Sequence, residues 1–182
     1  MPTSFYANII SDVSSEWTPF PAGPNYENIN EIPGSPVGVP YTITYKDYNS
    51  DKRGTLDVYG VSFNPIPEEA ANVKMQIGMR IRTTHDVGWF YAYVSLFNGH
   101  DNWYTIRKVL EPYQWEAAHT DIIEHWSAYD VNPITQIKLR ADTNPIEVAA
   151  LYLYIQYELG VGIIYGTGKI YGTGWKYGFT MI

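Results

Sequence analysis

Apolar and polar residues alternate with a period of two over much of the chain. Val73, Met75, Ile77, Met79 and Ile81 fall on one side of an extended backbone, and Lys74, Gln76, Arg80 and Arg82 on the other. That pattern predicts a strand with one dry and one wet face, as antiparallel sheets have. Tyr41, Ile43 and Tyr45 alternate in the same way with Thr42, Thr44 and Lys46, and Tyr59, Val61 and Phe63 share a face. Ile137 and Leu139 alternate with Gln136, Lys138 and Arg140. The longest late run, Ile146 to Glu158, turns Ala149, Leu151, Leu153, Ile155 and Tyr157 inward and Tyr152, Tyr154 and Gln156 outward.

The run from Trp89 to Phe97 has two apolar faces. Phe90, Ala92, Val94 and Leu96 form an aliphatic one; Trp89, Tyr91, Tyr93 and Phe97 form an aromatic one. Asn98-Gly99 is a strong hairpin signal, so Trp103 to Val109 is expected to return as the next strand. Asn49-Ser50-Asp51 is turn chemistry. Trp115 to Trp126 is the one helical candidate, with Ile122, Ile123 and Trp126 on one side; its His and Thr content leaves strand or loop equally open.

These elements predict an all-β chain: an antiparallel β-sandwich or jelly roll over residues 40–158. Residues 1–39 contain Pro19, Pro21, Pro24, Pro33 and Pro36, with Pro40 following, and are expected to form an irregular N-terminal arm. Residues 159–182 form a third region. They divide into four hexads, Leu-Gly-Val-Gly-Ile-Ile, Tyr-Gly-Thr-Gly-Lys-Ile, Tyr-Gly-Thr-Gly-Trp-Lys and Tyr-Gly-Phe-Thr-Met-Ile. Because six is even, Tyr165, Tyr171 and Tyr177 share one face of an extended chain. Gly166, Gly168, Gly172, Gly174 and Gly178 leave the opposite side nearly bare, which permits close approach of another backbone. The tail is therefore expected to carry self-association; Tyr, Trp and Ile are too frequent in it for a solvated linker.

Composition adds limits. The chain has 182 residues and a net charge of −7, which disfavours general binding to phosphate backbones. It has 17 Tyr, 6 Trp and 6 Phe, and residues of that kind suit pleated, half-buried surfaces. No cysteine is present, which excludes disulfides and thiolate metal sites. The residues after Met1 carry neither a basic stretch nor an apolar core, so no secretion signal is expected, and no run is apolar enough to span a membrane.

Two segments carry a resemblance. Ile-Glu-Val-Ala-Ala-Leu-Tyr-Leu-Tyr-Ile-Gln-Tyr (146–157) and Tyr-Val-Ser-Leu-Phe-Asn-Gly (93–99) resemble strands of sandwich domains in tailed-bacteriophage virion proteins. The Tyr-Gly-Thr-Gly hexads are similar to short repeats that end some phage fibre or tail-associated chains. The resemblance covers about residues 55–182 and implies a structural component of a virion: capsid decoration, fibre or tail. It implies other virion proteins and further copies of the chain as partners, the latter in a homo-oligomer such as a trimer, and it supplies no catalytic residues.

Chemistry-bearing clusters are sparse. His119, Asp121, Glu124 and His125 gather potential zinc ligands, but the spacing fits no zinc motif, and solvated side chains are expected. Asp47, Asp51 and Asp57 lack the dense alternation of a calcium loop and are expected as turn and surface carboxylates. Glu68 and Glu69 would point apart on a strand. Gly160, Gly162 and Gly166 miss the dinucleotide-binding spacing by one residue. No enzyme, cofactor or metal is therefore expected. The aromatic residues Trp89, Tyr91, Tyr93, Tyr152 and Tyr154 are the candidate binding face, meeting if their strands are neighbours. Such a face packs in the core, docks a subunit, or stacks on sugar rings. The expected function is structural and assembly-directed, with a carbohydrate-binding adhesion module as the second reading.

Overall fold

The alternating runs become strands in the computed structural model, which describes residues 2–29, 41–44, 55–83, 88–141 and 146–159. In chain order these hold β1 (Pro2–Tyr6), β2 (Asn8–Ser14), β3 (Thr18–Phe20), the short helix α1 (Asn25–Asn28), β4 (Tyr41–Thr44), β5 (Thr55–Ser62) and β6 (Ala70–Thr83). There follow β7 (Gly88–Phe97), β8 (Asp101–Leu110), β9 (Glu116–His119), β10 (Ile123–Trp126), α2 (Ala128–Val131), β11 (Gln136–Ala141) and β12 (Ile146–Leu159). They form two antiparallel sheets.

One sheet has the order β10-β6-β12-β4-β3, with β9 also on β6 and β1 also on β12. The other has the order β2-β5-β11-β7-β8. Met75, Ile77, Met79, Ile81, Leu151, Leu153 and Ile155 from the first pack with Tyr59, Val61, Ala92, Val94, Leu96, Ile137 and Leu139 from the second into one core. The chain is an all-β sandwich, as the alternation predicts.

The phase predicted for β12 holds at Leu151, Leu153 and Ile155, yet Ile146 and Val148, of the opposite parity, are also buried. A bulge reconciles them: the register with β6 slips between Val148 and Ala150, and the extra residue reverses the faces.

One expectation needs correction, and one segment left open between helix, strand and loop resolves as strand. Residues 2–20 are not an irregular arm but three short strands, and Ala7, Ile9, Trp17 and Ile29 enter the common core. The prolines misled because all three strands lie at edges. Among the described residues, Pro2 opens β1, which pairs only with β12, and Pro19 sits in β3, which pairs only with β4. An edge strand tolerates a missing N–H on its unpaired side. Pro33, Pro36 and Pro40 lie outside the described residues. The helical candidate at Trp115–Trp126 is instead β9 and β10, both paired to the outer edge of β6. That edge supplies hydrogen-bonding partners that a short helix of poor formers cannot match.

Candidate functional site

The outer face of the five-stranded sheet is built from alternate residues of β7, β8 and β11. Burying Ala92, Val94 and Leu96 forces Tyr91, Tyr93 and Phe97 outward, because successive side chains of a strand point to opposite faces. Tyr93 stands opposite Thr105 of β8 and Arg140 of β11; Tyr91 stands opposite Arg107, and Ser95 opposite Trp103 and Lys138.

Cations then settle on the rings. The Arg140 guanidinium lies 4.6 Å from the Tyr93 ring centre and 5.6 Å from that of Trp103. Arg107 lies 5.7 Å from Tyr91, and Lys138 lies 4.7 Å from Phe97. Each contact contributes about 0.5–1 kcal/mol at an exposed site. Their larger effect is to hold long side chains in one arrangement. Lys138 also bridges Asp101 at 2.7 Å. Trp103 remains 44% exposed, so the platform is open to a partner. Among the outward residues of β7, β8 and β11, Arg107, Lys138 and Arg140 outnumber the carboxylate Asp101 and make this patch basic on a chain of net charge −7.

The candidate aromatic face divides into two. β7 and β12 belong to different sheets, so Tyr91 and Tyr93 lie on one side of the sandwich and Tyr152 and Tyr154 on the other. The two pairs do not meet. Trp89 stands in register with Val109, but its side chain lies outside the described residues. Tyr152 and Tyr154 instead join Tyr6 of β1, with ring centres 5.6 and 5.3 Å away. Burial raises the Tyr152 phenol above its ordinary range, with the neighbouring Tyr6 adding to it. Arg140, Arg107 and Trp103 were missed as site residues. The alternation marks Arg140 as outward, but only the sheet order brings β11 beside β7.

Asp57 is a second correction. It is not a surface carboxylate but fully buried. Its carboxylate accepts from the backbone N–H of Glu16 (2.6 Å) and Trp17 (3.1 Å), the Asn25 amide (2.9 Å), the Tyr59 hydroxyl (2.8 Å) and the Ser15 hydroxyl (3.2 Å). Burial pushes the Asp57 carboxyl up; donation from Tyr59, Glu16, Trp17 and Asn25 pulls it partly back. Burial, followed by the charge of Asp57, pushes the Tyr59 phenol well above its ordinary value. Asp12 accepts from the backbone N–H groups of Asn25 (2.7 Å) and Tyr26 (2.8 Å) at the start of α1. This network ties the β2–α1 segment to β5 and is structural. Asp47 and Asp51 lie outside the described residues.

His119 has its Nδ1 3.1 Å from the Gln76 amide, while Glu124 pairs with Lys74 at 2.8 Å. Among the described residues no group of three or more His, Asp or Glu side chains is placed to hold a metal. Glu68 is 3.2 Å from the Tyr129 hydroxyl, which donates to it. The hexad residues Tyr165, Gly166, Gly168, Tyr171, Gly172, Gly174, Tyr177 and Gly178, like Gly160 and Gly162, lie outside the described residues. No protein-family model matches the chain, and no curated protein matches it.

Proposed function

We propose that this protein is a non-enzymatic assembly subunit that docks on another protein through the outer face of its five-stranded sheet. The observation that carries this reading is the Arg140 guanidinium shared between Tyr93 and Trp103. Trp, Tyr and Arg dominate the energetics of protein interfaces. Holding them in place beforehand lowers the entropy lost on docking. The basic patch fits a partner with an acidic surface. The resemblance of 93–99, 146–157 and the hexads to tailed-phage virion proteins supports a virion as the assembly, as capsid decoration, fibre or tail component. The hexad tail, through Tyr165, Tyr171, Tyr177 and their glycines, then carries self-association.

The carbohydrate reading is weaker for a geometric reason. A sugar stacks on a bare ring face, and here guanidinium and ammonium groups lie over Tyr91, Tyr93, Phe97 and Trp103.

The test compares the native protein with a Tyr93→Ala/Arg140→Ala variant. Cross-linking in the native particle is expected to capture an acidic protein at this face, and the variant is expected to lose it. On a glycan array neither protein is expected to bind. A glycan bound by the native chain and lost by the variant would replace assembly with adhesion.

A further inference from the structure

We propose that β8 is a self-pairing edge: two copies of this chain join their β8 strands antiparallel about a two-fold axis normal to the sheet. An open edge strand recruits other strands unless something blunts it. Among the described residues, every other edge is blunted. β1 has five residues and begins with Pro2; β3 has three and contains Pro19. β2 slips register twice against β5, and β10 slips against β6. β9 has four residues. β8 has ten, contains neither Pro nor Gly, and holds one unbroken register with β7 from Leu110 to Asp101. Lysine commonly guards an edge, but Lys108 is turned away, donating to the Ala117 carbonyl at 2.6 Å and bridging Glu116 at 2.9 Å.

The sequence of β8 is self-complementary in one register. With Tyr104 opposite its own copy, Asp101 faces Arg107 of the second copy, and Trp103 faces Thr105. Opposite charges and aromatic–β-branched pairs both favour strand pairing. Shifting the axis to Thr105 sets Asp101 against Val109, and shifting it to Trp103 sets Asp101 against Thr105; both lose the two ion pairs. A groove of about 340 Å³ runs beside the edge, between Tyr104 and Thr105 on one side and Thr120–Glu124 on the other. Ile122 in its wall is 57% exposed, and Trp103 and Val109 on β8 are 44% and 41% exposed. A second copy seated there lies against Ile122, while Trp103 stays on the outer face with the platform. The joined sheets also make the two basic aromatic platforms continuous, doubling the face for a multivalent partner.

The test uses the full chain. Sedimentation is expected to show a reversible dimer or a multiple of it. Arg107→Asp is expected to weaken the association at least tenfold, and the double reversal Asp101→Arg/Arg107→Asp to restore it, with melting temperatures confirming that each variant folds. The native chain lacks cysteine, so a single introduced thiol reports on one contact. Facing Cα atoms of an antiparallel pair lie about 4.5–5.5 Å apart, within disulfide reach. Tyr104→Cys is therefore expected to cross-link to itself on oxidation, and Tyr113→Cys, exposed but off the edge, is not. A monomer at all concentrations overturns the proposal. So does an oligomer that survives Arg107→Asp and gives no Tyr104→Cys cross-link, which assigns association to the tail. Tyr104→Cys leaves Tyr93, Trp103, Arg107 and Arg140 of the platform in place, so platform docking is read separately on that variant.

Discussion

The ring of Tyr152 lies across the backbone of Gly78, its register partner on the central β6–β12 pair. A β-carbon on Gly78 would stand inside that ring. Tyr6 packs edge-on against Tyr152, so the ring cannot swing aside without losing that contact. A glycine roofed by a cross-strand aromatic restores packing that the missing side chain gives up. Gly78→Ala is expected to cost about 1–3 kcal/mol, as overpacking does. Adding Tyr152→Ala should recover part of that loss, with a coupling of about 0.5–3 kcal/mol in the double-mutant cycle. Urea denaturation of the four proteins measures it. Strict additivity would mean that the ring moves freely.

Leu153 tests the phase of β12. It is fully buried between the sheets, beside the point where Ala7 donates its backbone N–H to the Leu153 carbonyl at 2.9 Å. Leu153→Ala is expected to destabilise by about 2–5 kcal/mol through lost burial and the cavity left behind. An unshifted thermal transition would contradict its place in the core.

Asp57 gives a pH signature. Removing its carboxylate strands the buried donors of Trp17, Asn25 and Tyr59, so Asp57→Ala is expected to cost about 3–5 kcal/mol. The native carboxyl is raised above its ordinary value, with burial the leading cause. The folded state thus holds this proton more tightly than the unfolded chain does. Its contribution is fully present below the unfolded pKa of about 3.9 and declines as pH rises through the folded value. Stability of the native protein minus that of Asp57→Asn, measured by denaturant titration, is expected to fall between acid and neutral pH. A rise over that interval would mean that the donors outweigh burial.

Among the described residues, β12 runs to Leu159 and its last pairs are with Ala70, Ala71 and Pro2. Deleting 160–182 is expected to leave the melting temperature within a few degrees while lowering the sedimenting mass. Equal masses for both chains would return the hexads to a linker role.

How far the sequence reached depends on the range of the interaction. Alternation is local, so Met75 to Ile81 and Leu151 to Ile155 were placed on their buried faces from residue type alone, while Ala92 to Leu96 were only separated from the aromatic face. The Asn98-Gly99 turn was legible for the same reason, and Gly99 takes a φ of 109° that favours glycine. Proline was read as a breaker because its missing donor is a local fact. Whether that loss matters depends on whether the strand is an edge, and only the sheet order decides this for Pro2 and Pro19.

The candidate site divides along the same line. The outward face of Tyr152 and Tyr154, and the shared face of Tyr91 and Tyr93, followed from period two. Their separation onto opposite sides of the sandwich did not, because pairing partners lie far apart in sequence and any strand can pair with any other. Arg140 reaches Tyr93 only because β11 inserts between β5 and β7. Asp57 shares its parity with Tyr59 and Val61, but its charge led it to be read as a surface carboxylate. That a carboxylate can stay buried was decided by Ser15, Glu16, Trp17 and Asn25, which lie 32 to 42 residues away in the chain and donate to it. The sequence by itself determined which residues share a face along an unbroken strand, since that needs only neighbours. The tertiary structure alone decided which strands lie side by side, and so which side chains meet, since that depends on the closure of the whole sheet.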